Sequence, residues 1–275
     1  MHTPAPLDEN TLWNGPGGQT WVAQQALLDG LFQPLADALR SELPATVTEL
    51  LDIGCGTGAS VLAAAQARPG ARCTGVDISA PMLALARQRA AGLGLDIDFI
   101  VADAQRHRFD SARYDWVQSR LGVMFFDDTQ AAFANLHRAA RSGAGLRAIA
   151  WRGAEENPFM TTAERTVGDQ LALPERRPGA PGQFAFADAG QVRRQLQDAG
   201  WRDVQVQPLD LECSLARDDL PAYVRQLGPI GLALRSLPAD RADALHAQAL
   251  AAFAPFIEGD RVRVDAACWL LRACA

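Results

Sequence analysis

The run Leu51-Asp52-Ile53-Gly54-Cys55-Gly56-Thr57-Gly58-Ala59 is the part of this sequence best suited to chemistry. It follows a short apolar stretch and precedes a helical one. Glycines there permit a sharp turn and let the backbone approach a ligand with no Cβ in the way. The helix that follows offers free N–H groups at its start. Asp52, two residues before Gly54, is expected to face the ligand pocket. A carboxylate there suits a cationic ligand and repels a pyrophosphate. Asp77 ends the next apolar stretch, about twenty residues on, where an acid accepts from ribose hydroxyls. Asp103-Ala104 ends a third stretch. An aspartate there can accept from the exocyclic amine of adenine while the following N–H meets a ring nitrogen. Gly54, Gly56 and Ala59 alone also fit a dinucleotide fingerprint, so the loop by itself leaves two cofactor classes open.

These residues must be held by a repeating frame, and the sequence supplies one. Strands are expected at 48–53, 72–76, 97–101, 114–119 and 145–151, with helices at 60–67, 81–93 and 129–141 between them. Such alternation implies a parallel sheet with helices on both faces. The expected fold class is α/β, a Rossmann-like seven-stranded, mostly parallel sheet whose last strand is antiparallel. The expected organisation is an N-terminal helical arm at 1–45 and a catalytic domain at 46–275. Within the arm, residues 1–20 read as extended, and apolar helical spacing begins at Trp21 and is divided by Pro34. Helix at 187–199 and strands at 204–211 and 262–275 complete the domain. Insertions at about 153–186 and 217–257 interrupt the rhythm and are expected to form a helical lid.

Composition removes several rivals. The chain has no lysine, so all 26 basic residues are arginine. That excludes a Schiff-base lysine, a lysine general base and a phosphate-loop lysine. The net charge of −6 and the absence of a basic stripe disfavour nucleic acid. The pair Arg176-Arg177, between Pro174 and Pro178, reads as a solvated loop. No stretch approaches the roughly 18 apolar residues of a membrane span. The first ten residues lack the pattern of a signal peptide, so a soluble cytoplasmic protein is expected. Five cysteines without a CxxC pair suggest buried thiols rather than disulfides or zinc. No metal is expected, and the oligomeric state is not legible.

The glycine loop, Asp77, Asp103-Ala104 and the strand at Tyr114-Asp115 resemble, in order and spacing, the class I S-adenosylmethionine-dependent methyltransferases across residues 48–151. The runs Ser119-Arg120-Leu121-Gly122-Val123-Met124-Phe125-Phe126, Ala132-Phe133-Ala134-Asn135-Leu136 and Trp151-Arg152 are similar to a bacterial small-molecule subgroup. Ser142-Gly143-Ala144-Gly145 departs from the Pro-Gly-Gly usual there. The resemblance implies that Gly54, Cys55 and Gly56 approach the methionine portion and ribose. It implies that Asp77 binds both ribose hydroxyls, that Ile78 and Met82 pack on adenine, and that Asp103 and Ala104 read the adenine edges. Ser119 is placed near the methionine end. Asp52 and Trp13 are counted with the cofactor residues.

A sulfonium cofactor carries its own activation, so such an enzyme can work by alignment and exclusion of water. His107 is the one weak candidate for a base. The acceptor pocket is expected from Trp21, Met124, Phe125, Phe159 and Tyr223, beyond the strand C-termini. The function implied is methyl transfer to a small molecule, with O, N, S and C acceptors all open. The alternatives are a nicotinamide-dependent oxidoreductase and a non-catalytic S-adenosylmethionine-binding protein.

Overall fold

A computed structural model describes residues 8–173 and 179–275. His2, the first seven residues of the arm, and the Arg176-Arg177 segment lie outside the described residues.

Eight strands form one sheet: β1 (Glu49–Ile53), β2 (Arg72–Asp77), β3 (Ile97–Val101), β4 (Tyr114–Arg120), β5 (Ala140–Trp151), β6 (Arg202–Ala216), the two-residue β7 (Ile257–Glu258) and β8 (Arg261–Cys274). Their order is β3-β2-β1-β4-β5-β8-β6, with β7 paired to β8. The first five strands are parallel, and β8 runs antiparallel between β5 and β6. The expected Rossmann-like sheet with an antiparallel last strand is therefore present.

Alternation along the strands assigns the two faces. Leu50 and Trp116 pack with Val61, Ala64 and Ala65 of helix α5 (Ala59–Ala67). Leu51, Ile53 and Val117 pack in the larger core with Phe133 and Leu136 of helix α7 (Thr129–Ala139). Because side chains alternate with period two, each central strand is apolar on both faces, as a buried parallel strand must be. Helix α6 (Ala80–Gly92) covers β2 and β3, and α9 (Ala189–Asp198) covers β6.

The N-terminal region differs from its expected form. Residues 9–23 are not extended but form α1 (Glu9–Asn14) and α2 (Pro16–Ala23). Asp8 caps α1 by accepting from Thr11 N at 2.9 Å, and Pro16 sits in the first turn of α2. Proline and glycine here delimit two short helices rather than prevent them. Pro34 divides α3 (Gln25–Leu31) from α4 (Gln33–Ser41), as expected.

Two further boundaries moved. The helix expected to reach Arg141 stops at Ala139, and β5 begins at once, five residues before its expected start. Strand β6 is also longer than expected, while β8 lies one residue from its expected place. Their pairing continues past the end of β5 at Trp151↔Cys268, from Asp210↔Ala267 to Ala216↔Arg261. That overhanging ribbon carries α10 (Leu220–Gln226), α11 (Gly228–Leu234) and α12 (Ala239–Ala251) at its tip. These pack on α8 (Pro158–Val167) from the other insertion.

The entry to β1 is fixed by one side chain. Asp115 accepts from Thr48 N at 3.1 Å, Thr48 Oγ1 at 2.6 Å and Glu49 N at 3.1 Å, tying β1 to β4. Asp115→Ala leaves those donors to solvent, and a loss of about 1–3 kcal/mol is expected in chemical denaturation. Unchanged stability would mean that the strand start is held by its ladder alone.

Candidate active site

The turn after β1 is built from glycine conformations. Gly54, Gly56 and Gly58 have φ of 62°, 55° and 93°. A Cβ on Gly54 would lie 2.7 Å from Gly122 Cα, so the turn and the end of β4 touch backbone to backbone. Ser119 fastens this contact. Its Oγ donates to Ile53 O at 2.7 Å and accepts from Gly122 N at 3.2 Å. Between them Leu121, a bulky residue, is held at φ 64° by a bond from its N–H to Ile149 O at 2.8 Å. A strained residue of this kind persists only where its surroundings over-determine it.

Asp77 closes the other side of the turn. Its Oδ2 accepts from Gly56 N at 2.8 Å and its Oδ1 from Ser79 N at 2.8 Å. Burial pushes its carboxyl above the usual carboxylate range, partly opposed by the bonds from Ser79 and Gly56. Each oxygen keeps a lone pair for a further donor, which suits two ribose hydroxyls. Met82 is buried, and its methyl lies 2.8 Å from where a Gly56 Cβ would stand. Asp103 accepts from Gln105 N at 2.9 Å and from Arg106. The N–H of Ala104, a buried residue, has no acceptor among the described residues. A free buried donor beside a half-exposed carboxylate is the donor and acceptor pair that an adenine edge requires. Asn135 holds this loop by donating to Ala104 O and His107 O, each at 2.8 Å.

Asp52 is not where it was expected. It is fully buried beneath the start of α5 and does not open onto the pocket. Its Oδ2 accepts from Gln118 Nε2 at 2.8 Å, and Gln118 Oε1 accepts from Trp116 Nε1 at 3.2 Å. Its Oδ1 has no hydrogen-bond partner among the described residues. Burial drives the carboxyl up to about 6, against the hydrogen bond from Gln118. The cause is register: Asp52 pairs with Gln118, and both point to the face that α5 covers.

The N-terminal helices lie across the turn after β2. Asn14 donates to Ile78 O at 3.0 Å and accepts from Ala80 N at 2.9 Å, while Ser79 Oγ donates to Trp13 O at 2.6 Å. The Trp13 ring meets Phe125 and Trp21 edge-on, at 5.3 and 6.1 Å between centroids. Two acceptor-pocket candidates fall elsewhere. Met124 is core, its sulfur accepting from Trp151 N at 3.2 Å, and Phe159 is buried against Trp151. Tyr223 is half-buried against Phe253 in the second insertion. His107 packs edge-on against Phe109, whose ring meets Tyr114 at the start of β4, so the structure gives it no tie to the glycine loop. Two surface clefts, around Phe126–Gln195 and around His137–Ala275, also lie away from that loop.

Asn14, Ser79, Gln118 and Asn135 escaped sequence reasoning. Only Ser79 carried a usable signal, a serine two residues before the proline of a helix start. Cys55, Cys73, Cys213 and Cys268 are buried free thiols, and Cys274 is half-buried.

A parallel sheet with a glycine turn after β1, an acid ending β2 and another just past β3 defines a nucleoside-cofactor enzyme of the α/β class. Residues 50–143 match the family described as a methyltransferase domain. The malonyl-(acyl-carrier protein) O-methyltransferase of Enterobacter lignolyticus is 33% identical over 182 residues, covering 60% of this chain and 70% of that one. The demethylmenaquinone methyltransferase of Thermus thermophilus is 36% identical over 97 residues, and the match spans 35% of this chain and 44% of that protein. A phosphoethanolamine N-methyltransferase of Haemonchus contortus, solved with S-adenosyl-L-methionine, superposes with a TM-score of 0.61 at 16% identity, over 100% of this chain and 61% of that one. The chain belongs to the class I S-adenosylmethionine-dependent methyltransferases. It is an enzyme of that class with S-adenosylmethionine as cofactor, and the nicotinamide and non-catalytic alternatives fall away. No helix among the described residues is long and apolar enough to cross a membrane.

The buried Asp52 makes stability depend on pH. Its folded pKa of about 6 lies above the ordinary aspartate value of 3.8. The folded state therefore binds the proton more tightly, and stability falls as pH rises between those values. Asp52→Asn removes this cost and should melt higher than the native protein at pH 7.5, by up to roughly 3 kcal/mol. The advantage should shrink on approaching pH 4. A pH-independent difference would mean that Asp52 does not titrate in this window.

Proposed function

We propose that this methyltransferase acts on a small molecule held between the N-terminal helices and a lid formed by the two insertions. The observation that carries the reading is the aromatic wall of Trp13, Trp21 and Phe125, which stands beside the turn that would hold the nucleoside. The lid is tied to the same helices. Gln24 Nε2 donates to Gln226 Oε1 at 2.7 Å, and Arg235 donates to Thr20 Oγ1 at 2.6 Å. Tyr223 lies on α10 within that lid. The net charge of −6 and the absence of a basic stripe argue against a nucleic-acid acceptor. The curated relatives are named for acceptors of different kinds, so the acceptor atom is not part of this proposal. A cytoplasmic location belongs to the same reading.

In this reading Asp77 accepts from the ribose hydroxyls, Asp103 and the Ala104 N–H take the adenine edge, and Ile78 and Met82 pack on its ring. The backbone of Gly54, Cys55 and Gly56 lies along the ligand, and Ser119 keeps the β4 turn against it. When bound, the cofactor supplies an activated methyl on sulfur. The chain's own part is to align an acceptor with that methyl and exclude water. His107 is packed away on Phe109, and positioning rather than a histidine base carries the rate.

Calorimetry with S-adenosylhomocysteine tests the reading. Asp77→Ala should weaken binding by about 1.5–3 kcal/mol, the range for losing hydrogen bonds to a charged group. Equal affinity in the variant would remove Asp77 from the site. Absence of binding by the native protein would sink the cofactor assignment altogether.

A further inference from the structure

Trp13, on α1, is fastened on both sides of the glycine turn. Its carbonyl accepts from Ser79 Oγ, just past β2, at 2.6 Å. Its ring meets Phe125, beyond β4, at 5.3 Å between centroids. In the sheet β1 lies between β2 and β4, and the turn through Gly54, Gly56 and Gly58 leaves the end of β1. A residue held by both neighbours of β1 bridges that turn, so α1 closes one side of the site.

The closure rests on few bonds. Among the described residues, the hydrogen bonds that α1 makes outside the N-terminal helices all end on Ile78, Ser79 and Ala80. Asn14 Nδ2 donates to Ile78 O at 3.0 Å, and Asn14 Oδ1 accepts from Ala80 N at 2.9 Å. Ser79 joins this clamp to the site itself, since its N–H donates to Asp77 while its hydroxyl donates to Trp13 O. No residue of α1 is buried. Helix α2 differs, because Thr20 on α2 and Gln24 at its end are tied to Arg235 and Gln226 of the second insertion. Helix α1 is thus the part free to lift. A segment that buries so little, held by exposed hydrogen bonds, opens at far lower free energy than the sheet beneath it.

Resting on the cofactor assignment above, we infer that α1 is a latch over the cofactor site, closed by Asn14 and Ser79, and that the cofactor enters and leaves only when it lifts. Asn14 acts in this as a positioning residue, through the turn it holds. Lifting also takes the Trp13 ring away from Phe125, so the aromatic wall proposed for the acceptor is complete only while the latch is closed.

Stopped-flow tryptophan fluorescence with S-adenosylhomocysteine tests the latch. Two variants loosen it from different sides. Asn14→Ala removes both bonds to the turn. Gly18→Ala acts from α2, where a Cβ would stand 1.9 Å from Trp13 O and 2.7 Å from Ser79 Oγ. Neither residue is assigned a contact with the ligand. A latch closed both with and without ligand blocks entry and exit alike. Both variants should therefore raise the association and dissociation rates together, by roughly tenfold, the equivalent of about two weak hydrogen bonds. The affinity should change by less than about threefold, because opening costs the same in both states. Asn14→Asp keeps the acceptor for Ala80 N and loses the donor to Ile78 O, and its rates should fall between. Unchanged rates in Asn14→Ala overturn the proposal, whether or not its melting temperature falls. So does a rise in dissociation alone with a matching loss of affinity, the mark of a plain ligand contact. If Gly18→Ala does not fold, the two Asn14 variants decide. If the native protein binds no S-adenosylhomocysteine, the cofactor assignment fails first and this inference with it.

Discussion

The backbone contact between Gly54 and Gly122 sets the geometry of everything around it. Neither residue can carry a Cβ there, because each would meet the other's main chain at 2.7–2.8 Å. The contact brings the loop after β1 against the loop after β4, and Ser119 bolts the two together through Ile53 O and Gly122 N. From that fixed point Asp77 reaches back to Gly56 N, so the turns after β1, β2 and β4 become one body. A ligand can then meet preorganised backbone and carboxylate groups without reorganising them, which is where such sites gain their electrostatic advantage.

The second layer is less rigid by construction. Asn14 reads the backbone of Ile78 and Ala80 much as a neighbouring strand would, and Trp13 O takes the Ser79 hydroxyl. These are a few hydrogen bonds between short helices and a turn, whereas the sheet beneath is a continuous ladder. Elements held by few contacts open at lower free energy than the core. The Gln24–Gln226 and Arg235–Thr20 bonds join the second insertion to the same helices.

The central sheet was legible because short apolar runs bounded by turn residues and alternating with helical spacing mark buried parallel strands. The places of Asp77, at the end of β2, and of the Asp103–Ala104 pair, just past β3, were legible for a related reason: strand ends in this architecture meet at one edge. What failed was whatever depended on facing or on partners. Asp52 was read by its distance from Gly54, yet its direction is set by pairing with Gln118, which no local pattern reveals. Met124 and Phe159 look like pocket residues in sequence because apolar side chains in loops suggest a binding surface. In space Trp151 takes both into the core. The β8 half of the overhanging ribbon was expected, but its β6 half past Leu211 was missed, because its partner on β8 lies about fifty residues away in sequence.

Arg120 and Asp52 show why the two kinds of buried charge on this face must be read differently. They are close enough for each to feel the other's charge. Asp52 can lower its cost by taking up a proton, so an incomplete shell is tolerable and its pKa rises to about 6. An arginine has no such escape within the range where proteins fold. Its cost is met only by partners, and the protein supplies the Phe32 carbonyl and the Asp29 carboxylate, whose Oδ1 stands 4.0 Å from it while Oδ2 accepts from Arg89 and Gln25. The carboxylate with the orphaned oxygen is thus a group at peace with its protonated form. The arginine keeps its charge and depends on the Phe32 carbonyl and the Asp29 carboxylate that face it.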